Sequence, residues 1–161
     1  MMAKMTVKGL DEMVDKLSML GSKSDQVVKR ALYEGAGVVA DAVKSGIESI
    51  PTSEDWGTPN HPKSGPTAEE KAGLREGLGI SSMETSGGRT DVSIGFDGYH
   101  GKGTKKYPKG KPVAMIARSV ERGTSFMYAH KFIKPAARAA KSQAIAKMQQ
   151  TAAEEIQKLT K

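Results

Sequence analysis

At 161 residues, with 37% hydrophobic content and 18 glycines, the chain is the size of one domain with a modest core and long glycine-bearing loops. It has no cysteine, which excludes disulfides, thiolate nucleophiles and Cys-ligated zinc, and leaves a cytosolic origin as the expectation. An excess of 25 Lys+Arg over 18 Asp+Glu gives a net charge of +7, which favours acidic partners such as nucleic acid or simply serves solubility.

The chain begins Met1-Met2-Ala3-Lys4-Met5 without the apolar core of a signal peptide, and no run approaches the roughly 20 apolar residues of a membrane span, so no membrane partner is expected. Leu10, Met13, Val14, Leu17 and Leu20 recur at helical spacing before Gly21, predicting a short amphipathic helix. Ser24 or Asp25 can cap a second, long helix, whose stripe of Val28, Leu32, Ala36, Val39, Val43, Ile47 and Ile50 ends at Pro51. Gly35, Gly37 and Gly46 weaken that helix, and close packing against something flat would compensate.

Residues 51–73 are rich in Pro, Ser, Thr and Gly and predict a long loop around the single tryptophan, Trp56. That side chain either meets a neighbouring subunit or folds back on its own core. Residues 78–85 and 91–96 flank Ser86-Gly87-Gly88-Arg89, and the alternation of Val92, Ile94 and Phe96 with polar residues or glycine predicts a β-hairpin. A glycine and lysine loop over 97–111 carries Lys102, Lys105, Lys106, Lys109 and Lys111, with Tyr99 and Tyr107 between them. Pro112, Val113, Ile116, Val120 and Gly123 then suit a short helix better than a third strand. From Pro135 the stripe Ala137, Ala140, Ala144, Met148, Ala152, Ile156 and Leu159 predicts a terminal helix whose small residues permit close approach. The order predicts one α+β domain over 1–161: a small antiparallel sheet with a long helix in the N-terminal half and a C-terminal helix packed on one face.

Catalytic and ligand patterns find little support. His61, His100 and His130 lie far apart without metal-ligand spacing and suit surface or loop positions. Gly35-Ala36-Gly37-Val38-Val39-Ala40 fits G-x-G-x-x-A in form, but its glycines fall inside a helix and not between strand and helix. Gly101-Lys102-Gly103-Thr104 lacks the rest of a phosphate loop, no G-x-S-x-G elbow occurs, and Glu69-Glu70 and Glu154-Glu155 sit in polar surroundings that would leave them solvated. No catalytic residue, metal or cofactor is expected. The lysine loop could pair phosphates and stack bases on its tyrosines, making the chain a basic nucleic-acid-binding module, or it could order against a neighbouring subunit.

The segment 121–135 is the most informative. Glu121, Gly123, Thr124 and Ser125, followed by Phe132, Pro135 and Ala136, form a construction in which one element stops at glycine, an aromatic loop crosses, and proline restarts a helix. It resembles the tail-completion, or neck, proteins of long-tailed bacteriophages, whose pattern is an acidic residue, a Gly-Thr-Ser turn, and Pro-Phe-x-x-Pro-Ala opening the last helix. Arg122 stands where that family commonly has an aromatic, and Lys131 where it has the first proline. Gly9-Leu10-Asp11-Glu12, the stretch 34–42, and Gly73-Leu74-Arg75-Glu76-Gly77-Leu78 are similar to family elements in the same order, with Gly77 in place of the usual serine. The loops 51–72 and 97–111 are long for the family.

The resemblance implies a non-enzymatic virion protein assembled in the host bacterial cytoplasm, forming a ring of six copies at the junction of tail and head. Its partners would be its own copies, the tail tube or tail terminator and the head connector, with viral DNA passing through the lumen without sequence-specific binding. Trp56, Glu121, Arg122, Gly123, Thr124, Ser125 and Phe132 are then candidates for subunit contacts, and Lys102, Lys105, Lys106, Lys109 and Lys111 for contacts with lumen DNA or a partner. A purely architectural role for the turn stays open beside this: Gly123 as a helix stop and Phe132 as a core anchor for the last helix.

Overall fold

The computed structural model of the chain describes residues 2–4 and 21–160, so the short helix expected around Leu10 to Leu20 lies outside the described residues. Strand β1 (Met2–Lys4) is followed, after a 3-10 turn at Gly21–Lys23, by helix α1 (Ser24–Glu48). Then come α2 (Ala68–Gly77), β2 (Leu78–Ile80), β3 (Glu84–Ser86), β4 (Arg89–Asp91), β5 (Ser93–Phe96), β6 (Tyr99–His100), β7 (Lys111–Pro112), α3 (Val113–Arg122) and α4 (Lys134–Thr160). The architecture is α+β: the long helices of the two halves pack on each other, and the first of them packs on a small antiparallel sheet.

Helix α1, about 37 Å long at 1.5 Å per residue, buries Val27, Ala31, Ala36, Val39, Val43 and Ile47. Past Ala36 the buried face follows the sequence stripe. In the first turns Val27 and Ala31 take the interior in place of Val28 and Leu32, which are half-buried. Neither Ser24 nor Asp25 caps the helix: Lys23 holds the N-cap position without a side-chain hydrogen bond. The partner of this face is chiefly α4, whose buried Ala140, Ala144, Met148 and Ala152 recur every fourth residue. Two helices meet closely where at least one presents small side chains. A Cβ at Gly35 would sit 2.2 Å from Met148 Cε, and one at Gly46 would sit 2.9 Å from the Phe132 carbonyl. The compensation for Gly35 and Gly46 is therefore a helix and a crossing chain, and among the described residues nothing lies within 4 Å of a Cβ at Gly37.

The central sheet has the order β1-β5-β2, all antiparallel, with Ala3 and Ile80 both opposite Ile94. The expected hairpin forms in two parts. β2 and β5 make its base, and β3 and β4 continue it as a separate ribbon closed by Gly87 and Gly88, both at positive φ as a tight hairpin turn requires. Val92, Ile94 and Phe96 are buried as the alternation predicts, and Phe96 meets Phe132 edge-on at 6.0 Å between ring centres.

Two of the loops are shorter than composition suggests. Residues 68–77 form α2, opened by a capping box in which the Glu70 amide donates to Thr67 Oγ1 and the Thr67 amide donates to the Glu70 carboxylate, both at 3.1 Å. From α2, Lys71 Nζ donates to the Glu48 and Ile50 carbonyls at 2.8 and 2.9 Å, satisfying the end of α1, and Arg75 grips the Glu48 carboxylate with two nitrogens. The lysine loop is the tip of a hairpin, because β6 and β7 pair Tyr99 with Pro112 and His100 with Lys111. Pro112 occupies the N-cap of α3, and Gly123 ends it at φ +74° with its amide on the Ser119 carbonyl.

Candidate assembly surface

Beyond Gly123 the chain must turn back and open α4, whose first amides have no partner within the helix. Glu121 supplies one. It is 4% exposed, and its carboxylate accepts from the amides of Phe132 at 2.8 Å, Ile133 at 3.0 Å and Lys134 at 3.2 Å. A carboxylate there satisfies orphan donors and lies at the positive end of the helix dipole. Phe132 is buried against Phe96. The interface role expected of Glu121 and Phe132 therefore gives way to the architectural one, since neither side chain offers surface to a neighbour.

The turn between them is tied to the first long loop. Thr124 and Met127 bridge through their backbones, and Thr124 Oγ1 accepts from the Phe126 amide at 3.1 Å. Lys63 runs alongside: its amide donates to the Phe126 carbonyl at 2.9 Å, and its carbonyl accepts from the Tyr128 amide at 3.1 Å. The His130 amide reaches the Val120 carbonyl, and its imidazole meets the Ser64 carbonyl. Gly57 lies so close to the Phe126 carbonyl that a Cβ would overlap it.

This locking places side chains by strand alternation. Met127 points inward and is buried, while Phe126 and Tyr128 are 51% and 59% exposed, and Trp56, beside Gly57, is 96% exposed. Three aromatic side chains thus stand outward on neighbouring backbone that is itself well fastened. Arg122, Thr124 and Ser125 are exposed on the same turn, and Gly123 is half-buried. Through Gly57, the backbone next to Trp56 lies against the turn at Phe126. Phe126, Tyr128 and the Lys63 backbone were not anticipated, although Phe-Met-Tyr between two turn signals is a short alternating pattern with two large rings on one side. Behind the turn lies a cleft of about 430 Å³ lined by Lys63, Glu70, Lys111, Ile116 and Met127 among others.

The lysines divide. Lys111 is half-buried and pairs with Glu70 at 3.2 Å. Glu70 is correspondingly not a solvated carboxylate: burial raises its pKa, but the Thr67 hydrogen bond and the Lys111 charge outweigh this and leave it below the usual value. Lys102, Lys105, Lys106 and Lys109 are exposed at the hairpin tip. Lys106 Nζ lies 5.5 Å from the Tyr107 ring centre and Lys109 Nζ 5.9 Å from that of Tyr99. Among the histidines only His61 is fully at the surface. The ring of His100 is packed where a Cβ on Gly73 would stand, with Nε2 buried and without a hydrogen-bond partner among the described residues. No group of three His, Asp or Glu among the described residues could hold a metal ion, and no helix among them is long and apolar enough to cross a membrane.

The fold and surface define an α+β domain whose exposed aromatic edge is built on internally bonded loops. Set against models of known families, curated proteins and solved structures, the chain matches none.

Proposed function

We propose that this chain is a virion structural protein of the neck of a tailed bacteriophage, one copy of a ring of six around the DNA channel that completes the tail or joins it to the head connector. The observation that carries the reading is the aromatic edge of Trp56, Phe126 and Tyr128, exposed on two loops that are fastened to each other. Large aromatics are the commonest anchors of protein interfaces. A fastened backbone has already lost the conformational freedom that binding would otherwise cost it. Head-to-tail contacts between copies close into a ring when the rotation permits. The reading draws as well on the resemblance of segment 121–136 to tail-completion proteins. Its acidic residue, glycine stop and Phe-x-x-Pro-Ala opening correspond here to one device, the Glu121 cap on the last helix.

Mass measurement and negative-stain microscopy of the purified protein, alone and mixed with tail tubes or connectors, test the proposal. Rings of six copies, or rings that form on the tube end, are expected. A chain that stays monomeric and joins neither structure is not a neck protein.

A further inference from the structure

We propose that the β6–β7 hairpin grips the phosphate backbone of duplex DNA through Lys102, Lys105, Lys106 and Lys109. This goes beyond a ring that DNA merely traverses, and it stands without the ring, because every observation behind it belongs to one copy of the chain. Residues 101–111 contain five lysines and no aspartate or glutamate. Lys111 is held by Glu70, and the other four are exposed with no ion pair among the described residues. The tip that carries them is ordered from within. The Thr104 amide donates to the Tyr107 carbonyl at 2.8 Å, the Gly110 amide to the same carbonyl at 3.0 Å, and the Tyr107 amide to Thr104 Oγ1 at 3.0 Å. Gly101 and Gly110 sit at positive φ, and Gly103 packs on the Pro108 carbonyl. Four like charges are thus fixed on one short loop. No acidic side chain among the described residues pairs with them, an arrangement that favours a dense polyanion.

Two features select a phosphate backbone over a protein surface and over unstacked bases. Interface cores between proteins are depleted in lysine and need an apolar anchor. Within the tip the one large apolar group, Tyr107, is half-buried, with its hydroxyl 3.5 Å from Met115 Sδ. The rings that could stack on bases are engaged by the Lys106 and Lys109 ammonium groups. Lysines without an arginine fork give sequence-independent attraction.

The test is equilibrium binding of a labelled 30-base-pair duplex and of one of its strands between about 50 and 200 mM salt. It compares the native chain, a variant with Lys102, Lys105, Lys106 and Lys109 all changed to Gln, and a charge-matched variant with Lys29, Lys44, Lys131 and Lys141 changed to Gln. Four phosphate contacts give a slope of log affinity against log salt of about −3.6, a loss of about 100-fold over that range. The hairpin variant is expected to lose that slope and the charge-matched variant to keep most of it, with duplex bound at least as well as the single strand. Equal losses in both variants would mean net charge alone, and overturn the proposal. So would a strong preference for the single strand, or retention of poly-L-glutamate in place of duplex. Thermal melting of each variant reports folding, and mass measurement of the same samples reports ring formation, so failure of the ring reading and of this one are told apart.

Discussion

The carboxylate of Glu121 and the backbone amide of Phe132, eleven positions further on, meet at 2.8 Å, so that the last residue but one of α3 caps the start of α4. Replacing Glu121 by Ala leaves three amides at the start of α4 without this acceptor and is expected to cost about 3 kcal/mol, with Gln recovering about half. Chemical denaturation measures both. A loss below about 0.5 kcal/mol for the alanine variant would mean that water replaces the carboxylate freely.

Gly35 and Gly37 stand on the same helix with opposite surroundings. Gly35→Ala drives a methyl into the fully buried Met148 and is expected to destabilise by about 1 to 3 kcal/mol. Gly37→Ala meets no described residue and should stabilise by about 0.5 to 1 kcal/mol through helix propensity. Paired thermal melts give the signs directly.

The capping box makes α2 sensitive to pH. Glu70 lies below its ordinary value of 4.5 in the folded chain. Its ionised form therefore contributes stability that is complete above that value and is lost as pH falls through the lowered one. Glu70→Gln is expected to be less stable than the native chain at pH 7 and to converge with it in acid, whereas Thr67→Ala should cost about 1 kcal/mol. Urea titrations at several pH values check the convergence. A gap that widens in acid would contradict the sign.

Under the proposed ring, Trp56→Ala and the pair Phe126→Ala with Tyr128→Ala should leave monomer stability within about 0.5 kcal/mol, since the side chains are largely exposed. Loss of rings is the expected result in microscopy. Rings that form normally in both variants would place the contacts elsewhere.

Local patterns were enough for α1 past its first turns, for α3 with its stop at Gly123, for α4, for the burial of Val92, Ile94 and Phe96, and for the Gly-Gly hairpin turn. These follow from spacings of two, three and four residues and from glycine's φ, all of which are local. The Thr67-x-x-Glu70 capping signal of α2 stands in a run dense in proline and glycine, and the loop expected there over 51–73 is therefore shorter than composition suggests. Where Glu121 points, that Lys111 pairs with Glu70 forty-one residues away while four other lysines have no ion pair among the described residues, and that Phe126 and Tyr128 are exposed were settled only by the packing. Those outcomes depend on which distant backbones the packing of α1 on α4 and the sheet bring together. A charge or a ring acquires its role from that neighbourhood, not from its place in the chain.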